Sequence, residues 1–310
     1  MPESAWTIAL LIRSAFNLRG TARYSFCAVV PRPYSRLVPN PCRFCGATDR
    51  KITKEHIWPT WLRSYLPPMP AVGQVEQWSS GHDRRRRQQP LLSATVRRFC
   101  DVCNNGWMNR IEEAVRPIVG PMVTGRSMEL DGAAQRVVAN WVALKGLVAA
   151  QTGRGGQPIP DSHYRRVWTA QGAPANTMAV WIGQRTYRDM PGRRRPDVGF
   201  FDAHFMPVTD VFPEHPLPEP LEQYVTQGGV FNGTIFQVGQ FFALALQHDW
   251  PALQGRVNPD SEAAEALLPV WPSGSTVLWP PPRSVDDLGN PHHMTRFLQI
   301  APPMAPVYEP

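Results

Sequence analysis

The sequence predicts an α+β protein in which a small cysteine-paired module precedes a larger mixed region, and three observations carry that expectation. Two CxxC pairs, Cys42-Arg43-Phe44-Cys45 and Cys100-Asp101-Val102-Cys103, stand far apart in the chain. Apolar residues at helical spacing follow the second pair and recur over 130–151. Beyond that, short runs rich in β-branched and aromatic residues read as strands, the last two separated only by Gly239-Gln240.

Taken in order, residues 1–40 lack periodicity and end in a Pro-studded stretch, so a weakly ordered extension is expected, with a short amphipathic helix over 6–16. Residues 41–125 form the motif-bearing module. There, 53–58 reads as an extended arm, and Pro59-Thr60-Trp61-Leu62 as a helix start stopped by Pro67-Pro68. The 43 residues between His56 and Cys100 include His82 and the run Arg84, Arg85, Arg86 and Arg87. This stretch reads as a mobile basic loop, with His82 a solvated loop histidine. Asn104-Asn105-Gly106 should turn into a helix that places Trp107, Ile111, Ala114 and Val115 on one face and stops at Pro117.

A second helix is expected over 130–151, ended by Gly153-Arg154-Gly155-Gly156. Strand-like runs follow at 177–182, 198–205, 234–238 and 241–246, the last pair as a hairpin. Two Trp-Pro segments, Trp271-Pro272 and Trp279-Pro280, precede a Pro-rich tail. A domain boundary near 125–130 leaves 126–310 as an α+β domain with no functional motif of its own.

Composition narrows the function. The chain has 310 residues, 43% of them hydrophobic, which supports a packed core and excludes global disorder. Residues 1–120 hold 18 Lys/Arg against 8 Asp/Glu, while the other 190 hold 14 against 17. The basic surplus therefore lies on the module with the cysteines, as phosphate binding by counterion release requires. Only Lys51, Lys54 and Lys145 are lysines, a bias that fits a GC-rich genome. The apolar run 6–12 is too short to cross a membrane and has no small-residue cleavage site after it. A cytoplasmic, reducing setting is expected, with the paired thiolates free for metal, Cys27 left over and no membrane partner.

Four thiolates in two knuckles make a tetrahedral zinc set, so Cys42, Cys45, Cys100 and Cys103 are the expected structural ligands. Inside that set lies Glu55-His56, and Asn104 follows the fourth cysteine directly. A carboxylate beside an imidazole, with an amide oxygen returning later, is a way to hold a hard cation next to a general base. The interleaved order makes zinc the staple that gathers Glu55, His56 and Asn104.

Over residues 40–120 this order resembles the HNH endonucleases of the ββα-metal (His-Me finger) fold in their zinc-stapled form. Glu55-His56-Ile57 with Pro59 stands for the first half of that pattern, and Cys100 to Asn104 for the second. The resemblance implies a ββα-metal module that hydrolyses DNA phosphodiester bonds. His56 would be the general base, Glu55 and Asn104 the ligands of one Mg²⁺ or Mn²⁺, and Zn²⁺ purely structural. Family members usually carry a central Asn that fixes the catalytic imidazole; counting back from Cys100, that place falls near Thr95. Arg97, Arg98 and Arg110 are the expected phosphate clamps, and Arg84, Arg85, Arg86 and Arg87 the expected non-specific contacts to DNA, with RNA left open. The same residues also suit a non-catalytic nucleic-acid-binding protein that kept the zinc fold, or an interaction protein scaffolded by the zinc module.

Overall fold

The first CxxC pair closes a tight turn. Gly46 donates its N–H to the Cys42 carbonyl at 2.8 Å, and Cys42 donates to the Ala47 carbonyl at 2.9 Å. Gly46 sits at φ +74, where a side chain is strained, so the residue after Cys45 needs glycine. In this computed structural model the described residues are 40–66, 73–78, 84–89, 91–152, 159–171, 178–186, 198–207, 230–248, 257–289 and 297–300. The expected N-terminal extension with its helix, Cys27, His82, the glycine stop at 153–156 and the end of the tail lie outside them.

Strand β1 (Ile52–His56) pairs antiparallel with β4 (Thr95–Cys100), with Ile52 opposite Cys100 and His56 opposite Thr95. The register shifts between Thr53 and Glu55: one residue, Lys54, faces two, Arg97 and Arg98. Such a bulge breaks the two-residue alternation. Arg97 and Arg98 are consequently both exposed between buried Val96 and buried Phe99. The connection between the two strands is not a bare loop. It contains a 3₁₀ turn (Thr60–Ser64) and a hairpin of β2 (Gly73–Trp78) with β3 (Arg84–Gln89). The expected loop placement of Arg84, Arg85, Arg86 and Arg87 is thus corrected. They lie on β3, opposite Trp78, Gln77, Glu76 and Val75, because a paired strand supplies the backbone partners that a loop lacks.

The chain leaves β4 directly into α1 (Asp101–Cys103), and α2 (Asn109–Val123) follows after a wide turn over Asn104–Met108. Gly106 departs from helical dihedrals inside that turn, at φ −94 and ψ −109. The helical path therefore starts before Trp107, and it does not stop at Pro117. Both Pro117 and Pro121 lie within α2. Pro117 is exposed, so the carbonyl it leaves unpaired one turn back is on the solvent side, where the loss is mildest. The buried stripe is Trp107, Ile111, Val115, Val119 and Met122; Ala114, expected on it, is exposed.

Asp131 caps α3 (Gly132–Ala149) by accepting the Ala134 N–H at 2.8 Å. Every residue from Val138 to Ala149 is buried, because α3 is wrapped on all sides. On one side stand α2 and the β1–β4 pair. On the other is an antiparallel five-stranded sheet in the order β11 (Leu268–Trp271), β6 (Met178–Gln184), β9 (Phe241–Gln247), β8 (Val230–Val238), β7 (Val198–Pro207). The expected hairpin is present: β8 and β9 are joined by Gly239-Gln240, with Gly239 at φ +54.

Sheet residues alternate between two cores. Phe241, Ala243 and Ala245 join the core around α3, whereas Phe242, Leu244 and Leu246 face a second cluster with Ala263, Leu267, Val285 and Leu288. This is why β9 reads as uniformly apolar. The first core runs without a break from Cys42 and Phe44 through Trp141 to Trp279. Packing is therefore continuous across the 125–130 boundary expected from the sequence. Trp58, two residues past His56, meets Phe236 of β8 edge-on at 5.6 Å.

Candidate metal centre and the Glu55-His56 strand

The turn at Cys42–Cys45 and the β4–α1 junction at Cys100–Cys103 meet at the end of the two-stranded sheet. The four Sγ atoms lie within 4.8 Å of one another, and Cys45 Sγ stands 3.7 Å from Cys100 Sγ. A tetrahedron with metal–sulfur bonds of about 2.3 Å has edges of about 3.8 Å, so the cluster fits Zn²⁺. All four are free thiols rather than disulfides.

The Cys42 thiol is pulled down to about 4 by a hydrogen bond from Cys103, against the effect of burial and with help from the backbone N–H of Cys100 at 3.3 Å. That is the environment of a thiolate ligand. Burial pushes Cys45 up, and Cys103 also goes up because it donates to Cys42. Helix α4 (Asp161–Ala170) clamps the first knuckle from outside. Arg165 donates to the Cys45 carbonyl at 2.5 Å, and the Arg43 guanidinium pairs with Asp161 while lying 4.7 Å above the Tyr164 ring. Phe44 packs inward on Phe99 at 4.7 Å and Trp107 at 4.9 Å.

Asn104, one residue past this cluster, reaches back to β1. Its Nδ2 donates to Thr53 Oγ1 and to the Lys54 carbonyl, each at 3.0 Å. A carbonyl only accepts, so the amide nitrogen must face it, and both its hydrogens are engaged. Oδ1 is the end of the amide left to act as an acceptor. The four-cysteine cluster thus sets the residue after Cys103 against the strand bearing Glu55 and His56.

Glu55, two residues past Thr53 on the same strand, is buried in the core. It is 9% exposed, and its Oε1 lies 3.4 Å from Lys145 Nζ of α3. Burial pushes its carboxyl above the ordinary range; Lys145 pulls it down and Glu112 pushes it up. Lys145 in turn lies 2.5 Å from Glu112 Oε1. Burial opposes its charge, but Glu112 and Glu55 more than offset that and hold it above the usual lysine range. Glu112 Oε2 accepts the indole N–H of both Trp61 and Trp141 at 3.1 Å. No hydrogen bond joins Glu55 to Asn104 among the described residues. The His56 imidazole is half-buried and held below its ordinary value by burial, then by Lys145, Arg63 and Lys54. Thr95 is exposed and stands opposite His56 in register, yet no hydrogen bond links the two side chains among the described residues.

Lys54, Arg97 and Arg98 are exposed and make a basic rim on the bulged strand pair, and Arg110 is exposed on α2. Lys145, Glu112 and Trp141 were not anticipated as members of this site. Their one visible signal is that Lys145 is the only charged residue between Arg136 and Arg154, in a run otherwise apolar enough to be buried. Among the described residues no helix is long and apolar enough to cross a membrane. Comparison with protein-family profiles, with curated proteins and with solved structures found no match for the chain.

Proposed function

We propose that the chain is a metal-dependent endonuclease that hydrolyses DNA phosphodiester bonds at the β1–Asn104 edge, with one structural Zn²⁺ and one catalytic Mg²⁺ or Mn²⁺. The observation that carries the reading is the pair of bonds from Asn104 Nδ2 to Thr53 and Lys54. They lay the post-cysteine amide along the Glu55-His56 strand and leave its oxygen available. The order strand, strand, helix around a four-cysteine cluster, with the β2–β3 hairpin inserted between the strands, supports the same reading, since the HNH resemblance of residues 40–120 implies two strands and a helix.

In this proposal His56 accepts the proton of the attacking water as the water oxygen bonds to phosphorus and the bond to the 3′ oxygen breaks. A depressed imidazole is neutral near pH 7, as a base must be. Asn104 Oδ1 and the Glu55 carboxylate are the oxygen donors for the catalytic cation, a set that suits Mg²⁺ or Mn²⁺ better than zinc. The charge balance behind β1 fits that role: two carboxylates, Glu55 and Glu112, share the single Lys145 ammonium. When bound, the cation supplies positive charge to the phosphate and the leaving oxygen. Arg97 and Arg98 contribute phosphate contacts from the rim, and Arg110 from α2.

One observation favours the second reading, a non-catalytic zinc-containing nucleic-acid-binding protein. Thr95 does not hold the His56 ring, and Glu55 is already paired with Lys145. The discriminating experiment incubates dialysed, zinc-loaded protein with duplex DNA and then adds Mn²⁺ or Mg²⁺. Cleavage that begins on addition and leaves 3′-hydroxyl and 5′-phosphate ends is the expected result. Salt-dependent binding without cleavage under any divalent cation overturns the enzyme reading and installs the second.

A further inference from the structure

Lys145 is the least expected side chain near the site. It is 1% exposed and is carried by α3, in the part of the chain that has no motif of its own. Its Nζ lies 2.5 Å from Glu112 Oε1 and 3.4 Å from both Glu55 Oε1 and the His56 carbonyl oxygen. Glu112 is held at both oxygens, by Lys145 on one and by Trp61 and Trp141 on the other. Glu55 has the longer share of the ammonium. A buried ion pair kept only for stability is weak in energetic terms, because desolvation offsets most of the attraction. Here the same ammonium touches the carbonyl of the proposed base and the carboxylate beside it.

We infer that Lys145 is a positioning residue of the proposed site: pinned by Glu112, it holds Glu55 and the His56 backbone in place and sets how strongly Glu55 takes a divalent cation. This rests on the reading of Glu55 as a ligand given above. An ammonium and a divalent cation compete for one carboxylate, and Glu112 decides the contest by drawing Lys145 toward itself. The scaffold fixes where the ammonium stands. The residue after Lys145, Gly146, packs so closely on β8 that a Cβ there would come within 3.0 Å of Thr234 Cβ. Residues beyond 126 would thereby contribute a side chain to the site.

The test is Mn²⁺ binding to the zinc-loaded full chain, read from the electron paramagnetic resonance signal of free Mn²⁺. Lys145→Met removes the competitor and should tighten Mn²⁺ about tenfold. Glu112→Gln releases Lys145 toward Glu55 and should weaken Mn²⁺ by a similar factor, about tenfold. Glu55→Gln should abolish the site in either background. A merely structural role moves the two variants in the same direction or not at all, and that result overturns the inference. If Lys145→Met does not fold, Glu112→Gln decides alone: weaker Mn²⁺ with zinc content and circular dichroism retained supports it, and unchanged Mn²⁺ refutes it. Wild type that binds no Mn²⁺ overturns the ligand reading itself, and the inference with it.

Discussion

Gly146→Ala probes the contact on which the placement of Lys145 depends. In an ordinary helix interior this change stabilises by about 1 kcal/mol, through helix propensity. At Gly146 the new Cβ would meet Thr234 of β8, with Cγ2 at 2.9 Å, Cβ at 3.0 Å and Oγ1 closer still. Rotating Thr234 does not relieve the clash. Its two γ substituents fill two of three staggered positions, and both filled positions are in conflict, so any rotamer keeps at least one of them filled. Relief requires α3 to move off the sheet, and overpacking of this kind costs about 1–3 kcal/mol. The net expectation is a loss of about 0–2 kcal/mol after the propensity gain. With Thr234→Ala in place the γ atoms are gone, and Gly146→Ala should recover the propensity gain of about 1 kcal/mol. A double-mutant cycle by urea unfolding of zinc-loaded protein should therefore return a coupling of about 2 kcal/mol. Clearly greater stability for Gly146→Ala in the wild-type background, or additive effects of the two changes, would refute the packing of α3 on β8.

Three further outcomes follow from the site. Freshly purified protein should hold one zinc per chain with four sulfur ligands at about 2.3 Å by X-ray absorption, and chelation should unfold the β1–β4 module; nitrogen or oxygen in the zinc shell would count against the four-cysteine centre. Because the His56 ring is depressed below 6.5, the folded chain takes up that proton at lower pH than the unfolded chain does. Stability linked to His56 is thus present above 6.5 and lost as pH falls through its folded value; cleavage should fall over the same range, and an acid limb centred above 6.5 would be inconsistent with this. Replacing Arg97 and Arg98 by Ala should weaken binding to unrelated duplexes equally and lower the salt slope by about one for each phosphate no longer neutralised, whereas a sequence-dependent effect would assign them to base reading.

Local chemistry was legible from the chain, and long-range pairing was not. The cysteine spacing, the largely apolar α3 and the Gly239-Gln240 hairpin all announce themselves within a few residues. Pro117 misled, because its penalty depends on whether the freed carbonyl is buried, which no local pattern reports. The arginines of β3 carry no strand signal; only their partner β2 makes them a strand. The bulge that exposes both Arg97 and Arg98 is likewise set by register with β1. Lys145 is 90 residues from Glu55, and nothing in either neighbourhood names the other. A single charge inside a helix that must be buried was the available clue, since such a charge has to find a partner.

The central claim is the proposal that His56, on the strand that Asn104 bonds, acts as a base on DNA. Its most direct test is the single-turnover nicking rate of supercoiled plasmid by zinc-loaded His56→Ala against wild type in Mn²⁺, with zinc content and DNA affinity measured on the same samples. The expected result is a fall of at least about 10²-fold in rate with both other quantities unchanged. Wild-type nicking by His56→Ala, or no nicking by either protein, would contradict it.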